Sequence, residues 1–255
     1  MKIDVNSDMG EGFGVYQLCD DAELINYVSS ANIACGAHAG DPVLMTRLVR
    51  LARQRGVGIG AHPGFPDRQG FGRRPLPYTA DEICQQVAYQ LGALQAIAKA
   101  EGTSVVHLSF HAAMGNRINQ DEALADQVMQ MLTRIEPGLI IFCMQDSLIE
   151  SAASRAGLKT LPLFLVDRAY DRHGQLVPRG VEGAVITEET EVRARVRQFL
   201  TDGTVTTIEG SVLPVRAKSL LIHSDTPGSV TLASLVRSEI ERCGHTLATA
   251  ADVLS

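Results

Sequence analysis

Four short segments of this chain alternate between two kinds of side chain, and that alternation limits the fold more than any other feature. In a β-strand successive side chains point to opposite faces. The first segment puts Asp4, Asn6 and Asp8 on one face and Ile3 and Val5 on the other. The second groups Asn32, Ala34, Gly36 and His38 opposite Ile33, Cys35 and Ala37. The third groups Gly58, Gly60 and His62 opposite Val57, Ile59 and Ala61. The fourth groups His107, Ser109 and His111 opposite Val106, Leu108 and Phe110. An open sheet covered by helices on both faces needs strands that are apolar throughout. Here one face is apolar and suits packing under helices, while the other is small or polar and suits a narrow lumen. The expected fold is therefore an α/β chain closed into a (β/α) barrel.

Seven apolar runs count the strands: 3–7, 31–37, 57–61, 105–110, 139–144, 161–166 and 219–222. Helical stretches lie between them, which makes parallel βαβ units. Asp41-Pro42 offers an N-cap and a first-turn proline for a helix through Arg55. Thr79-x-x-Glu82 and Asn119-x-x-Glu122 have capping-box spacing. Thr226-Pro227 is expected to open a helix reaching Cys243. Residues 203–217 break the rhythm and read as a β-hairpin insertion. With 255 residues, 45% of them apolar, the chain is long enough to form one barrel domain over 1–255 without a disulfide or metal staple.

The net charge of −6 and the lack of a Lys/Arg cluster beyond Arg73-Arg74 argue against nucleic acid. No apolar run is long enough for a membrane helix. The start, MKIDVNSD, has no apolar segment of the kind a signal peptide carries. Five cysteines without a C-x-x-C pair argue against a disulfide framework or a thiolate zinc site. The expectation is a reduced, cytoplasmic protein, with homo-oligomerisation left open.

Chemistry in such barrels gathers at the C-terminal ends of the strands. Those ends carry Asp8, His38, His62, His111, the Asp167-Arg168 pair, and His223 with Asp225. Four histidines on one side of a barrel are hard to explain by packing, because burying imidazoles without partners is costly. Asp8, His38, His62 and His111 are the candidate catalytic groups. Two chemistries fit them. Asp8 with two histidines can hold a divalent metal that activates water or polarises a carbonyl, or the histidines and carboxylates can act as acids and bases on an amide without metal. No H-x-x-x-H or H-E-x-x-H spacing decides between them.

Asn6, Glu11, Asn32, Asp41, Arg73, Asn116, His223 and Asp225 are candidates for holding substrate. Asp41 reads equally well as the cap before Pro42. The glycines of Gly10-Glu11-Gly12-Phe13-Gly14 can cradle an anion on backbone N–H groups or simply form a loop. Arg73 and Arg74 can fork a carboxylate or face solvent. Neither a P-loop nor G-x-S-x-G is present, so nucleotide binding of that type and a serine nucleophile are not indicated.

At these residues the chain resembles the LamB/YcsF family. The matching stretches are Asp4-Val-Asn-Ser-Asp-Met-Gly-Glu11, Ser30-Ala-Asn-Ile-Ala-Cys-Gly-Ala-His-Ala-Gly-Asp-Pro42, Gly60-Ala-His-Pro63, Gly70-Phe-Gly-Arg-Arg74, Asp167-Arg-Ala-Tyr170 and His223-Ser-Asp-Thr-Pro227. The resemblance implies a (β/α) barrel distantly similar to polysaccharide deacetylases. It also implies ATP-dependent opening of 5-oxoproline to glutamate, carried out with partner subunits B and C, so that ATP enters at the level of the complex.

Several positions depart from the family pattern, among them Gly115, where the family has tyrosine. Ser109 stands where the family has lysine, Leu163 where it has glutamate, Ser7 where it has cysteine and Ser224 where it has glycine. The changes at Ser109 and Leu163 remove a cation and a carboxylate from the expected lumen, as the loss of a pair would. Three readings follow: a lactam-opening subunit, a stand-alone metal-dependent amidohydrolase or deacetylase, and a non-catalytic ligand-binding subunit.

Overall fold

The computed structural model describes all 255 residues. In chain order the elements are β1 (Lys2–Met9), α1 (Asp21–Leu24), β2 (Ser30–Ala34), α2 (Pro42–Arg55), β3 (Gly58–His62), α3 (Ala80–Ala100), β4 (His107–Ser109), α4 (Ala112–Ile118), α5 (Glu122–Ile135), β5 (Ile140–Cys143), α6 (Leu148–Arg155), β6 (Lys159–Leu165), α7 (Glu189–Asp202), β7 (Thr204–Thr206), β8 (Val212–Pro214), β9 (Ser219–Ile222), α8 (Ser229–Arg242), β10 (Thr246–Leu247) and α9 (Ala250–Val253). Strands β1 to β6 pair in sequence order, all parallel; β9 pairs with β6 and returns to β1, closing a seven-stranded barrel. β7 and β8 form the antiparallel hairpin expected within 203–217. The short β10 adds to the N-terminal end of β1, pairing Lys2 with Thr246.

Local chemistry sets the helix ends. Asp41 accepts from the N–H groups of Val43 and Leu44, Pro42 takes the first helical position, and Gly56 at φ 68° ends α2. Thr79 and Glu82 form the reciprocal capping box of α3. Two expected starts move. α5 is capped by Asp121 rather than Asn119; Asn119 ends α4 and accepts from the N–H of Ile149 in α6 instead. α8 begins at Ser229, after Gly228 at φ 77°, two residues beyond Thr226-Pro227. β2 also stops at Ala34, short of the expected Ala37, because the chain turns through Gly36 at φ 88°. No helix is long and apolar enough to cross a membrane.

The lumen has a polar half and an apolar half. Residues in register on parallel neighbours face the same side. Asp4, Asn6, Asp8, Asn32, His62 and His107 line β1 to β4 as their parity requires. On β5, β6 and β9 the lumen face carries Phe142, Leu161, Leu163, Leu165 and Leu221, in register with Ser109, Ser219 and Asn6. Apart from Ser219 and the Lys159-Thr160 start of β6, these three strands are apolar on both faces, so the two-faced pattern covers about half the wall. Gly60 shows why small residues are needed: it is in register with His107, whose ring fills the space a Cβ would occupy.

Candidate functional site

Glu11, His38, His62 and His111 converge at the C-terminal mouth of the barrel, each buried, with one ligand-type atom apiece within 4.8 Å of the others. His62 ends β3 and His111 follows β4. His38 arrives from the turn after β2 rather than from the strand itself. Glu11 arrives because Gly10, at φ 70°, turns the chain inward after β1. Two more glycines make room for the rings. A Cβ at Gly64 would lie 2.6 Å from His38 Nδ1, and one at Gly72 would lie 2.7 Å from His38 Cβ and 2.9 Å from His111 Cδ2.

The hydrogen bonds fix two of the tautomers. His62 Nδ1 donates to the Ser109 carbonyl at 2.7 Å, leaving Nε2 as a lone pair. His111 Nε2 donates to the Phe71 carbonyl at 2.8 Å, leaving Nδ1 as a lone pair. Those two lone pairs face each other at 3.0 Å. Two acceptors at that distance repel unless a proton or a metal ion lies between them. Burial holds His62 below its ordinary value and, with neighbouring positive charge, holds His38 and His111 well below it, which disfavours the proton. Glu11 Oε1 lies 3.4 Å from His111 Nδ1 and 3.8 Å from His62 Nε2. Its carboxyl is pushed well above the usual range by burial and by Asp8 and Asp225. His62, His111 and Glu11 therefore fit a divalent transition metal, with Glu11 in the place expected for Asp8 from the sequence. Both imidazoles are oriented through the opposite nitrogen, as metal-ligating histidines usually are. His38 stacks on His111 with ring centroids 3.8 Å apart and reaches Glu11 at 3.2 Å, but its Nδ1 has no partner. It lacks the orienting bond of the other two.

Beneath the histidines a directed hydrogen-bond chain runs down the lumen. His107 Nε2 donates to Asn32 Oδ1 at 2.9 Å. Asn32 donates to Asp8 at 3.0 Å and to Asn6 at 2.8 Å. Asn6 donates to Ser219, and Ser219 donates to Asp4. Asp4 also accepts from Ser29 and Ser30, each at 2.6 Å, and burial lifts it to about 6. His107 stacks on Phe142 at 4.3 Å, and burial pushes it down to about 3, so it stays neutral. Asp8, 3.5 Å from His62 Nε2, is thus held from below.

Beside Asp8 stands a second pair. Ser7 and Ile222 are in register, so His223 follows next to Asp8. Its Nδ1 lies 3.0 and 3.1 Å from the two oxygens of Asp167, which also accepts from the His223 N–H and the Thr226 hydroxyl. Burial alone would lower His223, but the Asp167 charge and hydrogen bond, with Asp8, outweigh it and raise the imidazole. Asp167 is held below its ordinary value, its burial offset chiefly by His223.

Asp225, also at this strand end, does not partner His223 but binds Arg73, and Arg179 at 3.4 Å. Asn116 lies exposed on α4 and is not among the four clustered residues. Asp41 uses one oxygen to cap α2 and the other to accept from Gly14, so a cap is what the geometry shows. The glycine loop is no open cradle either, since the N–H groups of Gly10, Phe13 and Gly14 go to Asp21, Tyr16 and Asp41. Asn6 and Asn32 lie below the histidines, in the chain that supports Asp8. Of the departing residues, Ser224 donates to Glu11 at 3.2 Å and Ser7 ties β1 to the Ile222 carbonyl at 2.6 Å. The sequence does not single out Arg179, and it places His107 on the lumen face and Asp167 at a strand end without giving either a role in the site.

Comparison with known proteins agrees with the fold. The pattern of the LamB/YcsF family matches residues 3–255. A protein from Pectobacterium atrosepticum, named as the A subunit of 5-oxoprolinase, is 65% identical over 255 residues, covering 100% of this chain and 99% of the relative. A protein from Agrobacterium fabrum, the second of that name, is 62% identical over 252 residues, covering 99% of both. The crystal structure of a lactam utilization protein from Thermus thermophilus superposes with a TM-score of 0.91 at 38% identity, covering 97% of this chain and 99% of that one.

Proposed function

This chain is a member of the LamB/YcsF family, and from that premise we propose that it opens a small cyclic amide, 5-oxoproline, to glutamate as the A subunit of an ATP-dependent 5-oxoprolinase. The observation that carries the proposal is the pairing of two unlike halves at one mouth. The lone pairs of His62 and His111 with Glu11 make an electron-rich corner that fits a cation, and beside it stands His223, whose hold on its proton is strengthened by Asp167.

Hydrolysis of a lactam needs water to add to the carbonyl carbon and a proton to reach the ring nitrogen as the C–N bond breaks. Asp8, fixed by Asn32, accepts the proton of the attacking water. His223 delivers the proton to nitrogen, and Asp167 keeps its ring oriented for that task. His62, His111 and Glu11 would hold a divalent ion, which when bound would supply polarisation of the carbonyl or of the water. Arg73, at the rim, meets the substrate's carboxylate. A five-membered lactam carries little ring strain, so coupling to ATP supplies the missing drive. This chain shows no P-loop, and its relatives are named as one subunit of several, so we assign nucleotide handling to the partner subunits B and C.

The test is glutamate release from 5-oxoproline by the complex purified with its native partners, with and without ATP and with and without this chain. Release that requires both supports the proposal. Equal release without ATP would favour a stand-alone amidohydrolase. Release unaffected by removing this chain would leave it a non-catalytic subunit.

A further inference from the structure

Three arginines gather at the rim of the barrel mouth. Arg73, Arg168 and Arg179 lie close enough to influence one another: burial, together with the charges of Arg179 and Arg73, pulls Arg168 below its ordinary value. Arg168 spends its guanidinium on the carbonyls of Ala184 and Val177 and reaches no carboxylate by hydrogen bond. Asp225 is the only carboxylate that Arg73 and Arg179 touch. Its Oδ2 takes Arg73 and its Oδ1 takes Arg179 at 3.4 Å, a two-oxygen bridge between separate loops.

We propose that Arg179 and Arg73 form a clamp for a ligand carboxylate, and that Asp225 is an internal stand-in which the incoming carboxylate displaces. Asp225 occupies the seat in the way a monocarboxylate would, one oxygen to each guanidinium. All three side chains keep some exposure, Arg73 at 37%, Arg179 at 27% and Asp225 at 13%, so exchange needs no opening of the core. Arg73 also lies on the loop whose Phe71 carbonyl holds His111 and whose Phe71 ring packs edge-on against His38 and His111. Phe71 has φ 53°, an uncommon backbone for a non-glycine residue. Exchanging Asp225 for a ligand therefore acts on the same loop that covers the histidines. The ligand class is a small monocarboxylate whose reacting group reaches inward past the arginines. The inference rests on the lactam reading only for the choice of ring-bearing probe.

The test is titration calorimetry on the full chain with three probes: 5-oxoproline, 2-pyrrolidinone (the same ring without the carboxylate) and propionate (a carboxylate without the ring). Asp225→Asn should tighten 5-oxoproline and propionate about tenfold by removing the competitor, and leave 2-pyrrolidinone unchanged. Arg179→Met should weaken both carboxylates by about the same factor, again without effect on 2-pyrrolidinone. Asp225→Ser serves as the second variant, and thermal unfolding confirms that each protein is folded. Carboxylate affinity that falls or stays level in both Asp225 variants would overturn the proposal, as would a chain that binds neither carboxylate. If propionate responds as expected while neither ring compound binds, the clamp stands and the lactam reading falls. If the complex opens 5-oxoproline but the Asp225 variants leave carboxylate affinity level, the clamp falls and the lactam reading stands.

Discussion

The Nε2 of His62 and the Nδ1 of His111 face each other at 3.0 Å, each left without a proton because its ring gives its N–H to a backbone carbonyl. This arrangement calls for a cation between them. The chain purified without chelator is expected to carry about one divalent metal ion. Elemental analysis should find it lost in His62→Ala and in His111→Ala. His38→Ala should keep it, since His38 lacks an orienting bond on Nδ1. Metal-free wild-type protein that fails to take up zinc would contradict this assignment.

His223 and Asp167 set a pH dependence. The raised imidazole keeps its proton above its ordinary 6.5, so turnover by the complex should fall as pH rises through that raised value. Asp167→Asn removes the charge that raises it, and the falling limb should move to lower pH. The same pair contributes to stability with two signs. On the histidine side the contribution is complete below 6.5 and lost as pH rises through the raised His223 value. On the Asp167 side it is present above 3.8 and lost as pH falls through the lowered carboxyl value. A pH–rate profile and a pH–unfolding series measure the two effects separately.

His107 supports Asp8 through Asn32 at second hand. His107→Phe keeps a ring against Phe142 but leaves Asn32 Oδ1 buried without a donor, a loss of about 1–3 kcal/mol. Denaturant unfolding should show it. Gly60→Ala should be worse, because the added methyl meets the His107 ring with no room to move.

Asp41 and Asn116 should separate from the site. Asp41→Ala is expected to cost about 1 kcal/mol through the lost cap of α2, with turnover by the folded protein retained. Asn116→Ala, exposed on α4, should change neither stability nor turnover. A large fall in turnover for either, in folded protein, would show a substrate contact that the geometry lacks.

The barrel was legible because β1 to β4 alternate so strictly that only a lumen explains their polar faces. The apolar half was legible only as continuous runs at 139–144 and 161–166, which fit a buried strand in several folds. The pairing of His223 with Asp167 was harder, since 56 positions separate them. The signal was nevertheless present. Taking 203–217 out as an insertion places β9 directly after β6, and their ends then adjoin. Capping-box spacing misled at Asn119 because Asp121, two residues on, caps α5 by accepting from the Leu124 N–H, while Asn119 accepts from Ile149. Arg179 lies in a long irregular segment before α7 and has no motif to mark it; only the contact with Asp225 reveals it.

If bond breaking takes place on this chain, His223 is its proton donor. The most direct measurement is ATP-dependent glutamate release by the assembled complex carrying His223→Gln, beside wild type, with co-purification confirming that the complex is intact. Release is expected to fall by about a hundredfold or more while the complex holds together. Release at the wild-type rate from an intact His223→Gln complex would contradict that role.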